Sequence, residues 1–125
     1  MASKARPRLA WAKSARGCNS ATFSKFSRAS AVRFHILVDS SRSMAFKGPS
    51  SAESKWDYSA RLALYLACFF IAGGDYAGIT AVSGDGVARF RPSGDLAALK
   101  EMDAGLAALR PSGTSLPADK LKSAV

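Results

Sequence analysis

A chain of 125 residues, 48% of them hydrophobic and 22% charged, is long enough for one packed domain and too short for two; this balance excludes wholly disordered and collagen-like chains. The formal charge of +9 is unevenly spread. Residues 1–33 carry Lys4, Arg6, Arg8, Lys13, Arg16, Lys25, Arg28 and Arg33 with no acid, whereas residues 34–125 carry ten basic against nine acidic residues. The chain divides into a basic N-terminal segment, 1–32, and a nearly neutral domain, 33–125.

Cys18 and Cys68 stand fifty residues apart, which makes neither a CxxC redox pair nor a metal cluster and suits a reducing compartment. The longest apolar run, 62–72, has eleven residues, short of the roughly 20 that a membrane-spanning helix needs. The N-terminal region lacks the apolar stretch of a secretory signal, so a cytoplasmic location is expected; an acid-free opening rich in Arg and Ser also fits an organelle transit peptide.

In chain order, residues 32–38 (Val-Arg-Phe-His-Ile-Leu-Val) form a β-branched and aromatic run that predicts a strand, followed by the polar loop Asp39-Ser40-Ser41-Arg42-Ser43. Residues 45–54, with Gly48, Pro49 and several serines, read as a surface loop in which Ser51 or Ser54 can cap a helix over 55–72. That helix starts amphipathic, with Lys55, Asp57 and Arg61 outward, and becomes apolar on all sides, so it is expected to be covered over most of its surface. Its aromatic residues Trp56, Tyr58, Tyr65, Phe69 and Phe70 are spaced as in a core helix. Gly73-Gly74-Asp75 ends the helix.

A second strand over 76–82, weakened by Gly78, turns at Gly84-Asp85-Gly86 into 87–91, an edge strand with Arg89 and Arg91 exposed. Asp95 can cap a helix over 96–109, in which Leu96, Leu99, Met102, Leu106 and Leu109 make one apolar stripe. The loop Pro111-Ser112-Gly113-Thr114 follows, and a further helix begins near Pro117. Strand, long helix, strand is a βαβ unit, so the fold class is α/β: an open, Rossmann-like sheet of three strands and two main helices, with the first two strands parallel. In a doubly wound sheet the first strand is central, and its second neighbour is expected from chain beyond Val125; the sequence reads as the front part of a larger domain.

The chemically informative feature is Asp39-x-Ser41-x-Ser43 directly after an apolar strand. Sites in open α/β sheets form at the carboxyl ends of strands, and alternate residues of an extended loop point the same way. One carboxylate and two hydroxyls are hard oxygen donors suited to Mg²⁺. Thr114 offers a further hydroxyl. The competing reading is structural, with Asp39, Ser41 and Ser43 capping a loop and Thr114 capping the helix that follows. His35 has no ligand partner near it in sequence and reads as a structural strand residue; with no second histidine, most hydrolase schemes built on a His base fall away.

The DxSxS after an apolar strand and the Gly-Thr loop resemble the metal-ion-dependent adhesion site of von Willebrand factor type A domains. The resemblance is closest to the bacterial domain of unknown function 58 family, on an upstream stretch of Arg8, Trp11, Ser14, Ala15, Arg16 and Gly17, the run Val38 to Met44, a Lys-x-x-Tyr helix start at Lys55 and Tyr58, and a Gly-Asp-x-x-Gly turn at Gly74, Asp75 and Gly78. It implies Mg²⁺ or Mn²⁺ held by Asp39, Ser41, Ser43 and Thr114, with one coordination position left for an acidic side chain of a protein partner. Such a domain is not an enzyme. The resemblance also implies a MoxR-type AAA+ ATPase as partner. Two departures stand out: Ala10 takes the place of the usual upstream acid, and the aspartate that von Willebrand domains supply from a fourth strand would lie beyond Val125.

A different reading rests on residues 1–33, where eight basic side chains interleaved with Trp11, Phe23 and Phe26 suit phosphate contact and base stacking. No glycine-rich phosphate loop, recognition helix or zinc spacing accompanies that charge.

Overall fold

The computed structural model describes residues 30–115 and 118–124. Strand β1 spans Arg33–Asp39, a short 3₁₀ turn spans Arg42–Ala45, and helix α1 spans Lys55–Ala72. Strands β2 (Tyr76–Val82) and β3 (Val87–Ser93), helix α2 (Ala98–Ala108) and the short helix α3 (Ala118–Ala124) follow. The strands form one open sheet in the order β1-β2-β3, with β1 and β2 parallel and β2 and β3 antiparallel. The α/β class, the βαβ unit and the hairpin are as the sequence pattern predicts. β1 lies at one margin, paired on its β2 side among the described residues.

Local signals set the ends of α1. The Ser54 hydroxyl accepts from the Asp57 N–H at 3.1 Å and donates to the Asp57 carboxylate at 2.9 Å, so one orphan N–H of the first turn is satisfied and the carboxylate sits near the helix's positive end. At the other end Gly74 takes the left-handed conformation, φ 88°, which glycine adopts without steric cost. Helix α2 begins two residues later than its apolar stripe suggests. Asp95 accepts from the Ala97 N–H through its side chain and from the Ala98 N–H through its carbonyl, holding Leu96 and Ala97 in a turn ahead of the helix.

The core lies between α1, α2 and one face of the sheet. Val38, Ala77, Ile79 and Ala81 from the strands meet Trp56, Ala60, Ala63, Leu64, Ala67, Cys68 and Ile71 of α1 and Leu99, Met102 and Leu106 of α2. Phe34 of β1 stacks on Phe70 of α1 with ring centroids 3.7 Å apart. Gly105 of α2 receives the Phe90 ring edge where a Cβ would stand. Gly78 also has a positional reason: a Cβ there would lie 2.7 Å from Pro92 N and 2.8 Å from Phe90 O, at the register shift between β2 and β3.

Two expectations are corrected. Helix α1 is not covered over most of its surface, because Tyr58, Leu62, Tyr65, Leu66 and Phe69 are exposed. Nor do its aromatic residues all belong to the core: Trp56 is buried and Phe70 half-buried, while Tyr58, Tyr65 and Phe69 face outward. The buried face carries Ala60, Ala63 and Ala67, whose small side chains allow close packing, together with Trp56, Leu64, Cys68 and Ile71; Tyr58, Leu62, Tyr65, Leu66 and Phe69 occupy the opposite stripe. His35 is exposed on β1.

Candidate metal centre

Parallel pairing brings the carboxyl ends of β1 and β2 together, with Asp39 opposite Val82. The chain leaves β1 by a tight turn, in which the Asp39 carboxylate accepts from the Ser41 N–H at 2.8 Å. That bond engages one carboxylate oxygen; an ionised carboxylate has a second oxygen that can ligate a cation. The Ser41 hydroxyl lies 3.2 Å from the Ser43 hydroxyl. Ser41 is 1% exposed, Asp39 half-buried and Ser43 exposed, so the three oxygen donors run from the interior to the surface at the head of the strand.

Ser41 precedes the 3₁₀ turn Arg42–Ala45, yet its side chain makes no capping hydrogen bond. Its hydroxyl meets Ser43 instead of a turn N–H, so of the three loop residues the Asp39 carboxylate alone meets the capping reading, through its turn bond to Ser41. The two hydroxyl oxygens also fit a cation geometrically. Mg²⁺ binds oxygen at about 2.1 Å in octahedral geometry, which puts neighbouring ligand oxygens about 3.0 Å apart, close to the 3.2 Å between Ser41 and Ser43. Among the described residues no group of three or more His, Cys, Asp or Glu side chains could hold a metal ion. A cation here would therefore rest on one carboxylate and hydroxyls, a donor set that suits a hard divalent ion.

The loop at 111–115 reaches the same end of the sheet. Ser112 N–H donates to Ser40 O at 3.0 Å and Arg42 N–H to Gly113 O at 3.1 Å. Those bonds lash the loop to both sides of Ser41. Thr114 is exposed, and its hydroxyl stands over Gly84 of the β2–β3 turn. Thr114 precedes α3, which begins at Ala118, by four residues and so is not the N-cap of that helix. The structure thus joins Asp39, Ser41 and Ser43 by direct hydrogen bonds and brings the Thr114 loop alongside them by backbone bonds.

Sequence reasoning missed the third wall of this cluster, the turn Ser83-Gly84-Asp85-Gly86. Gly84 N–H donates to Thr114 O at 3.1 Å, the Ser83 hydroxyl accepts from the Asp85 N–H at 3.3 Å, and Lys120 of α3 donates to Gly84 O. Gly113, at φ 77°, has the Asp85 carboxylate 2.6 Å from where a Cβ would be. The available signal was the position of Gly84-Asp85-Gly86 at the carboxyl end of the strand next to β1, where loops of an open sheet gather; read alone, it suggested only a turn.

These features define an α/β chain with an open mixed sheet and an oxygen-donor cluster at the carboxyl ends of its parallel strands. The chain belongs to the family described as protein of unknown function DUF58, whose model matches residues 5–124. No curated protein matches it. The upstream residues Arg8, Trp11, Ser14, Ala15, Arg16 and Gly17 fall within that match but outside the described residues, as does nearly all of the basic segment that carries the nucleic-acid reading. No helix among the described residues is long and apolar enough to cross a membrane.

Proposed function

We propose that this chain is a protein-binding module in which Asp39, Ser41, Ser43 and Thr114 hold Mg²⁺ or Mn²⁺ and present it to an acidic side chain of a partner protein. The observation that carries the reading is the Ser41–Ser43 hydroxyl pair, 3.2 Å apart and beside the Asp39 carboxylate, with the Ser41 hydroxyl not used for capping. The likeness to the metal-ion-dependent adhesion site of von Willebrand domains supports it, and the same likeness points to a MoxR-type AAA+ ATPase as the partner. When bound, the cation supplies a Lewis-acidic position for a carboxylate ligand. The chain's own residues then act as a rigid cradle: Asp39 supplies the negative charge, Ser41 and Ser43 fix two adjacent positions, and the 111–115 loop brings Thr114. The module is non-enzymatic, because it captures a ligand and breaks no bond.

The test is calorimetric titration of Mn²⁺ into the chain and into Asp39→Ala. The expected result is saturable binding that the substitution reduces by at least about ten-fold, since it removes the only carboxylate of the set. Indistinguishable isotherms would overturn the reading.

A further inference from the structure

We propose that Gly84 is a positioning residue of this site, setting where the Thr114 hydroxyl stands relative to Asp39, Ser41 and Ser43. The inference rests on the metal-binding reading of those four residues and adds an element, the β2–β3 turn, that supplies no ligand of that set.

Three observations carry it. First, Gly84 N–H donates to Thr114 O at 3.1 Å, so the turn grips the backbone of Thr114 itself. Second, Gly84 has no room for a side chain: a Cβ there would lie 2.9 Å from Thr114 N and 3.1 Å from Thr114 O, and would overlap the Thr114 hydroxyl. The tightest overlap is with the Thr114 hydroxyl itself, so a side chain at position 84 would displace that hydroxyl while also pressing on the Thr114 backbone. Third, the turn is itself held, because the Lys120 ammonium donates to Gly84 O and Ser83 N–H donates to Gly86 O at 2.9 Å. On its far side the same loop is tied to the Asp39–Ser43 segment through Ser112 to Ser40 and Arg42 to Gly113. Thr114 is thus held between two strand ends, and the bare Cα of Gly84 is one of the two surfaces that fix it. A metal site needs its ligands held by such supporting contacts, and loss of one supporting partner weakens metal affinity by about 10- to 100-fold in other sites.

The turn provides its own control. A Cβ at Gly86, two residues on, meets nothing within 4 Å. Mn²⁺ titrated into the chain, Gly84→Ala, Gly86→Ala, Thr114→Val and the double variant Gly84→Ala with Thr114→Val separates the possibilities. We expect Gly84→Ala to weaken Mn²⁺ by about ten-fold or more, Gly86→Ala to bind as the parent does, and Gly84→Ala to add little once Thr114 has lost its hydroxyl, as coupled residues do. If the parent chain binds no Mn²⁺, the metal reading fails and this inference falls with it. If the parent binds and Gly84→Ala binds equally well, the metal reading stands and the role of Gly84 is overturned. Additive losses in the double variant would also overturn it, since Gly84 would then act otherwise than through Thr114. Should Gly84→Ala not fold, amide exchange at Gly84 in the parent chain decides: slower exchange with Mn²⁺ is expected, and unchanged exchange refutes the coupling.

Discussion

The two faces of α1 are both apolar but differ in their share of small side chains. The buried face carries Ala60, Ala63 and Ala67 with Trp56, Leu64, Cys68 and Ile71, while the outward face carries Tyr58, Leu62, Tyr65, Leu66 and Phe69, all exposed. Both faces are apolar, so hydrophobicity alone does not choose between them. The difference fits close packing at the buried face, which its three alanines permit; burial is completed by Leu99, Met102 and Leu106 of α2. Dispersion and water exclusion reward the tight contact, so small side chains in a close interface replace large ones in a loose one.

The largest test of this comparison is in the core that the alanine face joins. Leu106 is 0% exposed, and Leu106→Ala should lower unfolding free energy in urea by about 2–5 kcal/mol through lost burial and the cavity left behind. A change below about 1 kcal/mol would mean that α2 is not packed as described. Next comes the alanine face itself. Ala60, also 0% exposed, has no space for branching, and Ala60→Leu should cost about 1–3 kcal/mol by forcing the helix off the sheet, although it makes the helix more hydrophobic. A stabilised Ala60→Leu would reverse the argument from close approach. The smallest effect belongs to the outward face, where Leu62→Gln and Leu66→Gln should each shift stability by no more than about 0.5 kcal/mol. Sedimentation should also register them: the exposed apolar stripe favours self-association, which both substitutions should reduce.

The boundaries of α1 and β2 were legible because their signals are local, whereas β3 runs through Pro92 to Ser93, two residues past its expected end, and α2 starts two residues late. Ser54 three residues before Asp57, Gly74 after α1 and the alternation of Phe34, Ile36 and Val38 in β1 each act within one turn or one strand. The same holds for Asp39, Ser41 and Ser43, which lie within five residues and converge by the geometry of one turn. The facing of α1 was not legible, since both of its stripes are apolar and periodicity cannot rank them. Neither was the role of Gly84: its partner Thr114 is thirty residues further along the chain, and the glycine reads locally as turn chemistry alone.

By itself the sequence determined the element order, the α/β class and the parallel first pair, because each depends on neighbours in the chain; it also named Asp39, Ser41, Ser43 and Thr114 as the candidate ligands. Tertiary structure alone decided which face of α1 is buried, why Gly78 and Gly105 have no side chain, and how the 111–115 loop is seated between the ends of β1 and β2. Those outcomes depend on which backbones and side chains packing brings into contact, and not on any residue's own preference.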